Sequence, residues 1–587
     1  MRKSMLLALL AAALAPALPA ADDVVFKAMR DELARSMKKL QLETLNKAYF
    51  IAYRMVDTDT TTALAAFGAL TEGASNRARL LTVEVRVGDY ALDNTNFFAM
   101  RTSMSGVVRF NVETGLPIPL DDNYDELRRQ LWLATDSAYK QALDDYSKKR
   151  GALENRTRTD AAPDFSHELV ATDTENSEPV RMNLADAEAL VKSLSALFRE
   201  TPAIDDSSTR LEVKNTLTRY VNSEGTSFTR TEPRASLVVS AETQAADGMP
   251  LTDAEEIYVR SLASLPSKDQ LVARIRGLQK RLAALRSAPL VERYTGPVLF
   301  DGEAASALMA QGLAPALMGV PRIVVDDMRF EKIFGSDDGG LMERMGGRIL
   351  PDWMSVVDNP AAKEFQGQPL LGGYQVDEDG VQARPTTLVD KGVLKTLLHT
   401  RALIAGTTQS TGSRRGFGPA PSNLLVTAEK SMPGDELKAE LIRIVKQRGK
   451  EYGILVRRVG NPNPQAAGRA RTIIVTSHGA AAIETGALIA AYKVYPDGRE
   501  ELVRNLSILG MTTASFKDIV AASNNTTACS YVFRTRRISP MFTAGLLAVQ
   551  PLMTVATPSL LFDELTLQRP TGEIPNLPVT KHPFFDK

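Results

Sequence analysis

Residues suited to metal or nucleophilic chemistry are scarce in this chain. Its 587 residues include four histidines, His167, His399, His478 and His582, and a single cysteine, Cys529. A catalytic zinc takes three protein ligands, drawn from imidazole, thiolate and carboxylate, and keeps a further position for water. No pair among these five residues has metal-ligand spacing. His399, in Leu397-Leu-His-Thr-Arg401, is expected on a helix after the turn at Gly392, as a packing or hydrogen-bonding histidine rather than a ligand. His478, in Thr476-Ser-His-Gly479, is expected at a strand end or turn, where exposure suits a functional residue. Cys529, in Thr527-Ala-Cys-Ser530, reads as a small buried hydrophobe. His167-Glu168 has no second histidine in reach, and His582 lies in the tail. His399, His478 and Cys529 stay open as weak candidates for a non-standard ligand set, and without such a set no cofactor is expected.

Other chemistries are poorly served too. Asp326-Asp327 and Asp337-Asp338 lack the spaced oxygen ligands of a calcium loop and read as turn acids. No Gly-x-Ser-x-Gly elbow is present to mount a serine nucleophile. The basic loop Gly412-Ser-Arg-Arg-Gly-Phe-Gly418 is more suggestive. Arg414 and Arg415 could pair with carboxylates, though a solvated surface loop accounts for them equally well. The catalytic residues are therefore unassigned from the sequence. Basic and acidic residues balance at 70 each, which removes the electrostatic footprint of a nucleic-acid binder. One cysteine allows no internal disulfide.

The elements that must position these groups follow from periodicity. Phe26, Met29, Leu33, Met37 and Leu40 recur at helical spacing. Residues 49–56 read as a strand, and Leu80-Leu-Thr-Val-Glu-Val-Arg-Val-Gly-Asp-Tyr90 alternates as a half-buried strand does. A helix is expected over 123–149, with Asn123 and Glu126 at capping-box spacing. Residues 154–178 read as a polar connection. A second helix follows at 184–199, then strands at 209–221 and 235–243 about the turn Asn222-Ser-Glu-Gly225. Leu271, Ile275, Leu278, Leu282 and Leu285 mark a basic amphipathic helix with one packed face. Beyond Pro289 the chain turns to short β-rich segments at 297–300, 322–325, 472–475 and 490–495.

The N-terminus has the order of a secretory signal peptide: Arg2 and Lys3, an apolar run from Met5 to Leu14, then small residues up to Ala21. That run is short of the roughly 20 residues that span a bilayer. The expected organisation is a signal peptide over 1–21, an N-terminal domain over 22–289 and a C-terminal domain over 290–587. The mature chain is expected in the periplasm or secreted, with no transmembrane segment.

Several segments, taken in order, resemble the TldD/PmbA metallopeptidase family. They include Val83-Glu-Val-Arg-Val-Gly-Asp-Tyr90 with Asp93-Asn94, and the Asn222-Ser-Glu-Gly225 turn. Further on come Tyr294-Thr-Gly-Pro-Val-Leu-Phe-Asp-Gly-Glu-Ala-Ala305, Gly346-Gly-Arg-Ile-Leu-Pro351, Asp377-Glu-Asp-Gly380 and Leu388-Val-Asp-Lys-Gly-Val-Leu394. Gly412, Arg414-Arg415, Pro421-Ser-Asn423, Arg504-Asn505-Leu506 and Pro558-Ser-Leu-Leu-Phe-Asp-Glu564 complete the order. The resemblance implies an α+β protein with a mixed α/β N-terminal domain and a β-rich C-terminal domain, assembled as homo- or heterodimers. Catalytic members carry H-E-x-x-x-H at the start of the C-terminal domain and a later cysteine ligand. There the imidazoles and thiolate hold zinc and the glutamate takes a proton from its water. The corresponding stretch here, 300–315, has no histidine, and Glu303 alone stands in the glutamate's neighbourhood. In this the chain is similar to the PmbA/TldE branch, which pairs with a catalytic TldD-type subunit. The resemblance also places Arg414, Arg415 and Asn423 beside a cleft for an extended peptide.

Overall fold

The computed structural model describes residues 23–41, 45–99, 101–102, 108–109, 115–154, 162–327, 341–416, 418–461, 483–533, 551–570 and 585. The leader, the acids Asp337-Asp338, the strand expected at 472–475, His478 and His582 lie outside them.

Two long hairpins build the first sheet. Its strands run in the order Pro250–Val259, Ser227–Gln244, Asp206–Asn222, Ala48–Ala66, Ala69–Val87 and Leu116–Pro117. Thr172–Glu175 pairs in parallel with Ser227–Gln244, inside the stretch read from sequence as a loop. Alternation of side chains gives the sheet two unlike faces. One is apolar and packed by helices. Val25, Met29 and Leu33 of helix Val24–Lys39, with Leu127, Leu131 and Tyr139 of helix Tyr124–Glu154, lie on Ile51, Tyr53, Met55 and Val85. Helices Leu184–Ser195 and Lys268–Leu285 cover Leu211, Val213, Leu237 and Val239 at the other end. Burying an aliphatic side chain of this size stabilises by about 1.5–3 kcal/mol. All five residues of the Leu271 stripe are buried, and Ser267 with Gln270 closes a capping box before them. At the start of helix Tyr124–Glu154 only half a box forms. Asn123 accepts from the Glu126 amide at 3.0 Å, whereas the Glu126 carboxylate turns to Arg129 and Gln130.

The C-terminal part is β-rich, with short helices on both faces of a mixed sheet. Among the described residues this sheet has 11 strands. Its long central strand Leu552–Gln568 pairs with Asn423–Ala428, Arg293–Phe300 and Ile519–Val532. Val298 and Phe300 point to helix Glu303–Leu308 and its neighbours. Leu299, between them, points to helix Gly434–Gln447 on the other side.

The first sheet's second face carries Phe50, Arg54, Glu84, Arg86, Tyr220, Arg230 and Glu232. It is covered by the C-terminal loops 371–384 and 399–415. Tyr220 donates to the carbonyl of Asp379 at 3.2 Å, Arg230 to that of Val376 at 2.6 Å, and Arg54 pairs with Glu378. Arg401 is 1% exposed, with Nη1 and Nη2 on Glu224 at 2.6 and 2.8 Å. The ring of Phe165 lies between the guanidiniums of Arg86 and Arg401, 3.6 and 3.7 Å away.

Candidate functional site

The stretch 300–315, where the sequence resemblance puts the zinc motif, begins where strand Arg293–Phe300 ends. Asp301 donates its amide to Val456, 2.9 Å away, and its carboxylate accepts from Ser559 at 2.8 Å. Gly302 then turns the chain at φ +51, a conformation that glycine tolerates and side chains resist. A Cβ there would have room, its nearest neighbour being Thr527 at 3.5 Å. Conformation rather than space disfavours a larger residue. Helix Glu303–Leu308 follows and buries Ala304, Ala305, Ser306, Ala307 and Leu308. Set on Glu303, the spacing H-E-x-x-x-H puts its two histidine positions at Gly302 and Ala307.

Tertiary structure brings Cys529 to this helix. It lies on strand Ile519–Val532, opposite Val555, half-buried and beside Tyr531 and Ser306. Ser306 donates to the carbonyl of Val555 at 2.9 Å. Burial, reinforced by the nearby Glu303 carboxylate, pushes the Cys529 thiol above its ordinary range. Burial likewise holds the Tyr531 phenol well above its usual value. At neutral pH the site therefore presents a protonated thiol and two hydroxyls, neither a ready thiolate ligand nor an activated nucleophile. Glu303 is more than half exposed, and Arg458 reaches its carboxylate at 3.2 Å. The same guanidinium contacts Asp253 at 2.8 Å and Glu255 at 3.3 Å on the first sheet, so the glutamate belongs to a network joining the two sheets. The donor set does not suit a catalytic zinc. Glycine and alanine stand at the imidazole positions, and no group of three histidine, cysteine or acidic residues is poised around a metal-sized space among the described residues.

His399 is placed differently from the sequence expectation. Residues 397–401 are not helical; Leu398 forms an isolated parallel bridge with Met318. Four consecutive buried residues, Leu397 to Thr400, leave no solvent face for a helix in this position. Both ring nitrogens of His399 face main-chain carbonyls, Leu397 at 2.8 Å and Gln409 at 2.9 Å. His167 is exposed and stacks on Tyr90 with ring centroids 3.5 Å apart. Asp326 is exposed beside a two-residue strand, Val324–Val325.

Arg414, Arg415 and Asn423 all face inward. Arg414 donates to Asp379 at 2.7 Å through Nη1, and its amide donates to Asp377 at 2.9 Å. Arg415 is 8% exposed; its Nη1 donates to the carbonyls of Pro421 and Leu552 at 3.0 and 2.8 Å. Asn423 is fully buried. Its amide nitrogen donates to Asn359 and Ala362 at 3.0 and 2.9 Å, and its oxygen accepts from Gly372 at 2.9 Å. At Gly372 a Cβ would fall 2.0 Å from the carbonyl oxygen of Ser422, so only glycine passes there. These residues fix the loop 371–384 and the start of strand Leu552–Gln568. Asn423 pairs with Thr554, next to the Val555 carbonyl that accepts from Ser306 of helix Glu303–Leu308. Sequence reading missed Ser306, Tyr531 and Arg458 around Cys529, since single polar residues in apolar surroundings carry no spacing signal. It also missed Arg230, Glu232 and Arg260, whose alternation looks like the solvent side of a strand.

Residues 293–569 match the family model for the PmbA/TldA metallopeptidase C-terminal domain. A metalloprotease of Methanocaldococcus jannaschii is 26% identical over 113 residues, 19% of this chain and 24% of that protein. A metalloprotease of Methanothermobacter thermautotrophicus is 31% identical over 111 residues, 19% of this chain and 23% of that protein. The matched region thus spans about a quarter of these curated relatives. Among solved structures, a modulator of a DNA gyrase from Thermotoga maritima superimposes with a TM-score of 0.57 at 13% identity, over 92% of this chain and 100% of that one. TldE from Thermococcus kodakarensis does so with a TM-score of 0.54 at 13% identity, over 92% and 99%. These two likenesses bear on the fold.

Proposed function

We propose that this chain, a TldD/PmbA metallopeptidase-like protein through its domain at 293–569, is a subunit without its own zinc that binds peptide or pairs with a catalytic TldD-type homologue in proteolysis. One observation carries the reading: with the motif set on Glu303, the first residue of helix Glu303–Leu308, Gly302 and Ala307 stand where its imidazoles would be, and Arg458 engages Glu303. A zinc-water mechanism needs a carboxylate free to take a proton from bound water. Here that carboxylate is held by a guanidinium. The likeness in fold to a TldE is consistent with a partnered role. Arg414, Arg415 and Asn423 would then serve by holding the walls of a peptide cleft, and a leader over 1–21 would place the assembly in the periplasm or outside the cell.

The deciding experiment is metal analysis of the protein purified without chelator or histidine tag, with a peptide hydrolysis assay and co-expression with an H-E-x-x-x-H homologue. The expected result is substoichiometric metal, no hydrolysis alone, and hydrolysis with co-purification when the homologue is present. Near-stoichiometric zinc with chelator-sensitive hydrolysis by this chain alone would overturn the reading in favour of a metallopeptidase with a non-standard ligand set. Absence of any co-purifying homologue would favour a non-enzymatic binding or scaffold protein. Export is checked separately, by fractionating cells and sequencing the mature N-terminus; a cytoplasmic, uncleaved chain would remove it.

A further inference from the structure

Strand Ile519–Val532 lies at an edge of the C-terminal sheet. Among the described residues, strand Leu552–Gln568 is its one strand partner. Main-chain groups of successive strand residues point to alternate sides. The pairing runs without a shift from Thr526 to Val532, and Phe533 donates its amide to Pro551 on the partner's side. Cys529 and Tyr531 therefore bond inward, while Ala528, Ser530 and Val532 present N–H and C=O outward.

At the start of this edge a side chain already takes the place of a strand. Gln368 accepts from the Ala528 amide at 2.9 Å through Oε1 and donates to the Thr526 carbonyl at 2.6 Å through Nε2. Its side-chain amide has the donor and acceptor of a peptide group, and a residue of a parallel partner strand makes the same two bonds astride Thr527. A hairpin brings it there: Glu364–Phe365 pairs with Gln368–Pro369, turned through Gln366 and Gly367 at φ +48 and +75. Beyond Gln368 the ladder stops. Among the described residues nothing bonds the outward amides and carbonyls of Ser530 and Val532, and both residues are only half-buried. Thr526-Thr-Ala-Cys-Ser-Tyr-Val532 holds no charge and no proline, the devices that keep an edge from pairing. Two rungs are too little contact to hold two folded chains together, which takes about 1,000 Å² or more. They suit a short extended segment.

We propose that an extended peptide adds as a further strand along the outer edge of Ile519–Val532, at Ser530 and Val532, in line with the Gln368 amide. The site rests on the peptide-binding part of the reading above and needs no zinc. Alternation sets one row of the peptide's side chains on the face of Cys529 and Tyr531, beside Ser306 of helix Glu303–Leu308. The other row falls on the face of Ala528, beside Phe365 and Leu370.

The test uses the full chain and a fluorescein-labelled, end-capped heptapeptide of alternating alanine and valine. It is made in three forms: unmodified, N-methylated at its even residues, and N-methylated at its odd residues. Each main-chain bond is worth about fivefold in affinity. Fluorescence anisotropy should show one methylated form binding at least about tenfold more weakly than the other, which stays near the unmodified peptide. Ser530→Pro removes an outward amide and spares the inward ladder, as proline on an edge does. It should weaken the unmodified peptide about fivefold with an unchanged melting temperature. Amide hydrogen exchange at Ser530 and Val532 should be fast in the chain alone and slow with peptide.

Equal affinity of the two methylated forms, full affinity in folded Ser530→Pro, or amides already protected without peptide each overturns the edge site. Should Ser530→Pro not fold, the methylated pair and the exchange measurement decide on the unaltered chain. Where peptide still binds in the face of such a result, the peptide-binding reading stands and the surface lies elsewhere. No binding of any form ends the edge site and peptide binding together, and leaves pairing with a homologue to the co-purification test.

Discussion

At the scale of single residues, two buried acidic groups make the electrostatic argument measurable. The Cys529 thiol is raised by burial first and by Glu303 second. Glu303→Gln removes the second cause, so the pH midpoint of Cys529 alkylation falls; a midpoint unmoved by the substitution would show that Glu303 has no hold on the thiol. Asp358 is 2% exposed and accepts from the Ser422 amide and hydroxyl, both at 2.8 Å. Burial outweighs those hydrogen bonds and pushes its carboxyl up from 3.8 to about 6. With the folded value above the unfolded one, the folded state binds more protons between about pH 4 and pH 6. Asp358 therefore contributes stability below that window that is lost as pH rises through it. Asp358→Asn should flatten the slope of unfolding free energy over pH 4–6 relative to wild type, by about 2–3 kcal/mol across the window. Parallel wild-type and variant slopes in denaturant titrations would refute it.

At the scale of elements, helix Lys268–Leu285 shows how a readable pattern becomes packing. Its stripe at three- and four-residue spacing fixes the buried face, and Leu278 is fully buried in that core. Leu278→Ala should cost about 2–5 kcal/mol through lost burial and the cavity left behind. Ser267→Ala, which removes only the cap, should cost about 1 kcal/mol. Chemical denaturation separates the two; similar losses for both would mean that the helix is held by its end rather than its face. The segment 397–401 is the opposite case. Two adjacent leucines after a glycine turn suit a helix locally, but hydrogen bonds from Leu398 to Leu317 and from Gly319 back to Leu398 make it an extended, fully covered segment. Those partners lie some 80 residues upstream, beyond any local window.

At the scale of the whole molecule, the two sheets are joined by buried ion pairs as well as by apolar contacts, such as those of Val376 with Phe50, Phe165, Tyr220 and Phe228. Removing one partner of such a pair costs about 3–5 kcal/mol, because the other charge is left buried. Arg401→Ala strips Glu224 of its bidentate partner and Phe165 of one guanidinium face. Calorimetry of this variant should show the C-terminal and N-terminal units melting in separate steps, with the first well below the wild-type transition. A single unshifted transition would show that Arg401 does not couple them.

The sequence by itself determined the elements whose signals are local and periodic: the helices read at 26–40, 123–149, 184–199 and 271–286, which the structure bounds at 24–39, 124–154, 184–195 and 268–285, the Asn222–Gly225 turn, and the change to β-rich texture after Pro289. It also settled the absence of histidine from 300–315, since residue identity needs no fold. Only the tertiary structure decided where the polar residues went. Arg54, Arg86, Arg230 and Glu232 alternate with apolar neighbours as solvent-facing residues do, yet loops from the C-terminal part of the chain cover them. Arg414 and Arg415 look like an exposed basic loop, yet Arg414 binds Asp379 and Arg415 binds Leu552, 35 and 137 residues away in the chain, as Asn423 binds Asn359, 64 away. Burial of a charge depends on what packs over it, and hydrophobic periodicity registers only which side of an element is apolar, never which partner arrives on the other.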